Sequence, residues 1–146
     1  MISGAQLFVK ALKAEKVDTL FAYPGGQAID LFDALYDDNT LDVILPRHEQ
    51  GLGHAADGYA RSTGKPGVCL VTSGPGATNL VTALATANYD RAPLVCFTGQ
   101  VPPYLIGNHA FPTAAHLGIV RSITTYAVTA RDTDTFAELI KKALKN

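Results

Sequence analysis

The chain has 146 residues, 47% of them hydrophobic, which is enough to bury one real core, so residues 1–146 are read as a single domain. A formal net charge of −1 gives no electrostatic case for a nucleic-acid partner or an anionic membrane surface. No basic segment leads into an apolar signal core, and no apolar run is long enough to span a bilayer, so a cytoplasmic location is expected.

Ser3 is placed to cap a first helix, in which Leu7, Phe8, Ala11 and Leu12 recur at helical spacing. Residues 19–22 read as a strand, and Pro24-Gly25-Gly26 turns the chain into a second helix from Ile29 to about Tyr36. Asp37-Asp38-Asn39 breaks that helix ahead of Asp42-Val43-Ile44-Leu45, read as a buried strand. The run from Gln50 to Arg61 predicts an Ala-rich helix that ends at Gly64 in a left-handed conformation, with Pro66 just beyond. Residues 68–72 form a strand, 77–89 a helix and 94–98 another strand in this reading. An irregular segment from Gly99 to about Ala115 holds Pro102, Pro103 and Pro112. Residues 123–128 are a further candidate strand, and Asp132 or Thr133 caps a last helix, whose Lys141, Lys142 and Lys145 complement its dipole. This alternation predicts an α/β fold of three αβα layers, with a mainly parallel sheet covered by helices on both faces. Cys69 and Cys96 each lie inside an apolar run and read as buried thiols, compatible with a reducing compartment. Their spacing suits neither a redox CxxC nor a metal site, and no metal site is expected in this chain.

Glu49 falls between the strand ending near Leu45 and the Ala-rich helix, at the sheet edge where open α/β folds bind ligands. A carboxylate there can do acid–base work in a dry pocket. On position alone, the other reading stays open: a first-turn acid that merely complements the helix dipole. Gly25 and Gly26 permit backbone angles closed to other residues and leave room for a ligand to touch the main chain. Gly74-Pro75-Gly76 opens a helix whose free N–H groups are suited to an anion, yet it lacks the Gly-Lys-Ser/Thr of a P-loop and the third glycine of a dinucleotide fingerprint.

Taken together, Tyr23-Pro24-Gly25-Gly26, Arg47-His48-Glu49-Gln50-Gly51, the stretch from Gly58 to Gly67, Thr72 to Asn79, and Thr98-Gly99-Gln100-Val101-Pro102 resemble the amino-terminal pyrimidine-binding domain of thiamine-diphosphate enzymes. The pattern is most similar to the large, catalytic subunit of acetolactate synthase, and it covers essentially the whole chain in the family's order and spacing. The resemblance implies a carboligase that decarboxylates pyruvate and condenses the resulting enamine with a second 2-keto acid. It implies that Glu49 hydrogen-bonds the ring nitrogen para to the cofactor's amino group and so drives the tautomer whose imino group removes the thiazolium proton. Tyr23, Pro24, Gly25 and Gly26 match the segment bordering the thiazolium, and Pro75, Gly76 and Asn79 the segment lining the pyrimidine side. Gln100 and Pro102 match the start of a substrate-channel loop, and Phe111 an aromatic facing that channel. Each also has a plain structural reading: Tyr23 and Phe111 as core, Asn79 as a cap, Pro102 as a loop stiffener.

The chain departs from the family where Asn108-His109-Ala110-Phe111-Pro112-Thr113 replaces the usual Thr-Asp-Ala-Phe-Gln-Glu. Pro112 offers neither an N–H nor a side-chain partner where the family has Gln, which bears on the substrate channel rather than on cofactor activation. His109 and His116 lack flanking acids at ligand spacing and read as solvated loop histidines. Asp57-Gly58 lies inside a helical run and does not match the family's Gly-Asp-Gly diphosphate motif. The resemblance therefore implies that this chain holds the pyrimidine half of the cofactor site. The diphosphate and Mg2+ then belong to another domain or subunit, and FAD to a middle domain of the complete enzyme. Two further readings stand beside this one: the small subunit of a split 2-keto-acid decarboxylase, and a noncatalytic α/β module binding phosphate at the Gly-Pro-Gly turn. The family's domain continues into a final strand beyond the position of Asn146, so self-association as a dimer through the helices beside Glu49 and Gly76 is expected.

Overall fold

Apolar residues alternate along β1 (Thr19–Ala22), β3 (Gly67–Val71) and β4 (Leu94–Thr98), so these strands feed two cores. Leu20 and Ala22 in β1 face one side of the sheet with Val68 and Leu70 of β3, while Phe21, Cys69 and Val71 face the other. The first side is covered by α1 (Gly4–Ala14), α2 (Ile29–Tyr36) and α7 (Phe136–Lys145), which contribute Phe8, Leu12, Leu35 and Ile140. The second is covered by α3 (Glu49–Thr63) and α5 (Val81–Asp90), with Leu52, Ala56, Leu80 and Leu84. With β2 (Asp42–Ile44) these strands form one parallel sheet in the order β2-β1-β3-β4. This is the expected three-layer α/β arrangement, seen in a computed structural model that describes residues 2–100 and 114–145.

Local signals act where the sequence placed them. The Ser3 side chain accepts the Gln6 N–H while Gln6 reaches back to the Ser3 N–H, a reciprocal cap on α1. Gly64 ends α3 at φ 71°, a left-handed conformation that costs glycine nothing. Cys69 and Cys96 are register partners on β3 and β4; the neighbouring Cys96 thiol, together with burial, pushes the Cys69 thiol well up and holds it protonated.

Four expectations are corrected. The strand at 42–45 is not buried: β2 spans three residues at the sheet edge, and Val43, Ile44 and Leu45 are exposed. The helix that follows it, α3, crosses back to pack chiefly on β3 and β1 and leaves β2 uncovered. The helix read at 77–89 is two pieces, α4 (Pro75–Thr78) and α5, separated at Asn79 and Leu80, where Leu80 N–H bonds to the Ala77 carbonyl at 3.2 Å. Residues 123–128 form no strand. The Thr124 hydroxyl closes back on the Val120 carbonyl at 2.8 Å, and the Tyr126 ring receives the Lys142 ammonium 4.8 Å from its centroid. His116, read as a solvated loop histidine, lies instead on a short helix, α6 (Ala114–Val120), with its Nε2 buried.

Candidate functional site

The chain runs from β1 to β2 on one side and then returns to place β3 on the other side of β1. That reversal makes the carboxyl ends of β1 and β3 the natural crevice of the sheet. Two segments leave there. Tyr23 N–H continues the ladder onto the Leu70 carbonyl at 2.9 Å, and the chain passes through Pro24 and Gly25 into a short 3-10 turn, Gly26–Ala28. From β3 the chain runs through Thr72 and Ser73 to Gly74, whose φ of 64° at the strand-to-helix turn suits glycine alone, and into α4 with Pro75 at its start.

Glu49 comes from a third direction, at the first position of α3, where its charge also suits the helix dipole. His48 is the cap, its Nδ1 accepting the Gln50 N–H at 3.1 Å. The half-buried Glu49 carboxylate meets the β3 turn: Asn79 Nδ2 donates to Oε2 at 3.0 Å across a part-buried gap. The other oxygen, Oε1, lies 3.6 Å from where a β-carbon on Gly76 would sit, and among the described residues no protein donor reaches it. Asn79 sits at the break between α4 and α5, as the residue that ends α4.

Gly25 has a fully extended backbone, φ −175°, so its conformation does not demand glycine. Contact does: a β-carbon there would fall 2.5 Å from Thr72 Cβ. Gly26 is exposed, and a β-carbon on it would meet nothing within 4 Å. Gly99, just past β4, would drive a β-carbon to 2.4 Å from the Gln27 carbonyl oxygen, so the β4 exit is pressed against the same loop. The expected site residues Glu49, Gly76 and Asn79 are thus brought together, with Gly25 joined to them through Thr72. Tyr23 is half-buried and packs on the core under α3 and α5, while Pro24 and Pro75 are exposed. Gln100 is exposed one residue after Gly99; Pro102 and Phe111 lie outside the described residues, as do His109 and Pro112. Thr72 and Gln27 carried no local signal, because their contact joins positions 45 residues apart.

Two further groups of charges are held in ion pairs away from Glu49. Asp57 is buried and paired with Arg61 at 3.0 Å, and Arg61 also reaches Asp90 at 2.7 Å; these carboxylates hold the Arg61 guanidinium firmly charged. Asp57-Gly58 is therefore part of α3 and its ion pairs. Asp18 accepts from Lys65, Tyr59 and Thr19, which together depress its pKa. No cluster of three or more metal-ligating side chains occurs among the described residues. Nor is any described helix long and apolar enough to cross a membrane. The Gly74-Pro75-Gly76 turn makes a poor anion site: α4 is a single turn, Pro75 has no N–H, and the Glu49 carboxylate faces Gly76.

A carboxyl oxygen that no described protein donor reaches, beside the main chain of Gly76, is suited to pair with a ring nitrogen of a heterocycle. The comparisons agree with that fit. The family described as "Thiamine pyrophosphate enzyme, N-terminal TPP binding domain" matches residues 2–119. The mitochondrial acetolactate synthase catalytic subunit of Saccharomyces cerevisiae is 46% identical over 144 residues, 99% of this chain and 21% of that protein. A probable acetolactate synthase large subunit of Methanococcus aeolicus is 49% identical over 99% of this chain and 24% of its own length. The Lactococcus lactis large subunit is 48% identical over 97% and 24%, respectively. The chain thus spans about a fifth to a quarter of the length of these curated relatives. With the Glu49 site built on the expected α/β sheet and the match running across most of the chain, the protein belongs to the thiamine pyrophosphate enzymes, as an N-terminal TPP-binding domain matching acetolactate synthase large subunits.

Proposed function

We propose that this domain supplies the pyrimidine side of a thiamine diphosphate site in an acetolactate-synthase-like carboligase that joins two 2-keto acids, pyruvate being the first. The observation that carries this reading is the placement of Glu49, bonded to Asn79 through Oε2, with Oε1 beside Gly76 and no described protein donor reaching it. When bound, the cofactor supplies the nucleophilic carbon at which a 2-keto acid is decarboxylated. Glu49 holds a proton at Oε1 for the ring nitrogen, and Asn79 fixes the carboxyl plane by occupying Oε2. Gly76 and Val71 bring main chain and apolar side chain up to the carboxyl, Val71 Cβ lying 3.6 Å from where a β-carbon on Gly76 would sit.

The diphosphate and its Mg2+ are held, in this reading, by a second domain or subunit, and FAD belongs to a further domain of the assembly. A homodimer is the arrangement we favour. Besides the helices beside Glu49 and Gly76, the exposed edge around Val43, Ile44 and Leu45 is a second candidate for the contact, while Leu52, Ala56 and Ala60 of α3 are covered within the chain. The two free thiols support a reducing, cytoplasmic setting. The test is reconstitution with an acetolactate-synthase-type diphosphate-binding domain, thiamine diphosphate and Mg2+, followed by assay with pyruvate. Carbon dioxide release with formation of acetolactate is expected. An assembly that binds cofactor but leaves pyruvate untouched overturns the substrate assignment, and one that binds no cofactor overturns the site.

A further inference from the structure

The geometry points to Thr72 as the positioning residue that sets the spacing between the Gly25–Gln27 loop and Gly76, beside Glu49; this rests on the reading of Glu49 as partner of the cofactor ring. Thr72 is the first residue after β3 and its side chain is wedged between two main-chain segments. Its Oγ1 accepts the Gln27 N–H at 3.2 Å, inside the 3-10 turn that begins at Gly26. Its Cβ and Cγ2 stand 2.5 and 2.6 Å from where a β-carbon on Gly25 would lie, so the Gly25 main chain rests directly on them. On the other side, Cγ2 is 2.9 Å from the same point on Gly76, and that point is 3.6 Å from Glu49 Oε1.

The two halves of the threonine therefore do different things. The methyl is a spacer packed against both Gly25 and Gly76, and the hydroxyl ties the Gln27 turn to the same β-carbon. A β-branched residue is also stiff at χ1, so the spacer cannot swing out of the gap without losing the Gln27 bond. Neither half has any role in proton transfer. Thr72 acts through the separation of two backbones, one beside the open face of Gly26 and one beside Glu49.

Thr72→Val keeps the wedge and removes the acceptor; Thr72→Ser keeps the acceptor and removes the methyl. Hydrogen exchange at the Gln27 amide is measured in the chain, and thiamine diphosphate affinity in the assembly with a diphosphate-binding domain and Mg2+. Thr72→Val is expected to speed Gln27 exchange by about tenfold, the scale of one net hydrogen bond, and to weaken cofactor binding several-fold. Thr72→Ser is expected to restore Gln27 protection while leaving cofactor binding weakened, because the methyl between Gly25 and Gly76 is gone. Unchanged Gln27 exchange in Thr72→Val overturns the proposal, and so does cofactor affinity equal to wild type in both variants. A wild-type assembly that binds no thiamine diphosphate removes instead the reading of the site on which the proposal rests, a result that the exchange data do not mimic.

Discussion

The Asn79 side chain donates to Glu49 at 3.0 Å, joining the start of α3 to the break between α4 and α5 across 30 residues of sequence. That bond leaves one carboxyl oxygen committed and the other directed at Gly76. A carboxylate serving only the helix dipole has no need of a partner so placed.

Replacing Glu49 with Gln in the complete assembly preserves shape and removes the shareable proton. Turnover is expected to fall by roughly two to four orders of magnitude, the reach of positioned acid–base catalysis, with a much smaller change in cofactor affinity. A Gln variant with full turnover in steady-state assays would falsify the role of Glu49.

Asn79→Ala removes the donor that orients the carboxyl plane. A loss of about 1 kcal/mol in stability is expected from denaturant titration, together with a fall in turnover of about tenfold. Unaltered turnover in a correctly folded variant makes Asn79 a bystander.

Gly25 and Gly26 are adjacent and predict opposite outcomes. Gly25→Ala puts a methyl 2.5 Å from Thr72 Cβ and should cost about 1–3 kcal/mol of stability through overpacking. Gly26→Ala meets open space and should melt like the parent while weakening thiamine diphosphate binding in the assembly. Equal melting losses in the two variants would contradict this account of the loop.

His116 lies on α6 with Nε2 buried and without a hydrogen-bond partner among the described residues, and burial lowers its pKa below the ordinary 6.5. The unfolded chain thus takes up a proton near pH 6.5 that the folded chain accepts only at lower pH. Stability should be full above about pH 6.5 and should decline as the pH falls from there through the lower folded value. Melting temperatures between pH 8 and pH 5 check this, and His116→Leu should flatten the slope over that window. An identical slope in the variant assigns the acid sensitivity elsewhere.

The chain by itself, mixed with thiamine diphosphate, Mg2+ and pyruvate, is expected to release no carbon dioxide, because the groups proposed to hold the diphosphate are not in it. Turnover by rigorously purified chain, followed by a coupled carbon dioxide assay, would refute the half-site reading.

The elements that could be read in sequence were those decided locally or by strong periodicity. Ser3 and Gly64 mark helix ends by their own chemistry, and the apolar runs of β1, β3 and β4 are pinned by the two cores they feed. The run Val43-Ile44-Leu45 misled, because a short apolar stretch reads the same in a central strand as at an uncovered edge, and only the path of α3 decides which. Residues 123–128 misled for a related reason: the Tyr126 ring meets the Lys142 ammonium on α7, with no strand pairing there. In the site, Glu49 was visible from its place before a helix, and the resemblance named its role. Thr72 was not, since its significance lies in two glycines and an amide far away in sequence.

The order β2-β1-β3-β4 has a consequence for how the site comes into being. The strands whose ends form the crevice, β1 and β3, are not consecutive, and the Gln27–Thr72 bond closes a loop of 45 residues that contains α2, β2 and α3. Such a non-local pairing must meet its loop-closure entropy before it gains any contact energy. A collapsed intermediate with its helices formed would therefore have no crevice for a ring to enter. Gln27 amide protection during refolding should appear with the zipping of the central strand pair, later than the helical signal of α1, and thus report the birth of a binding site rather than of secondary structure.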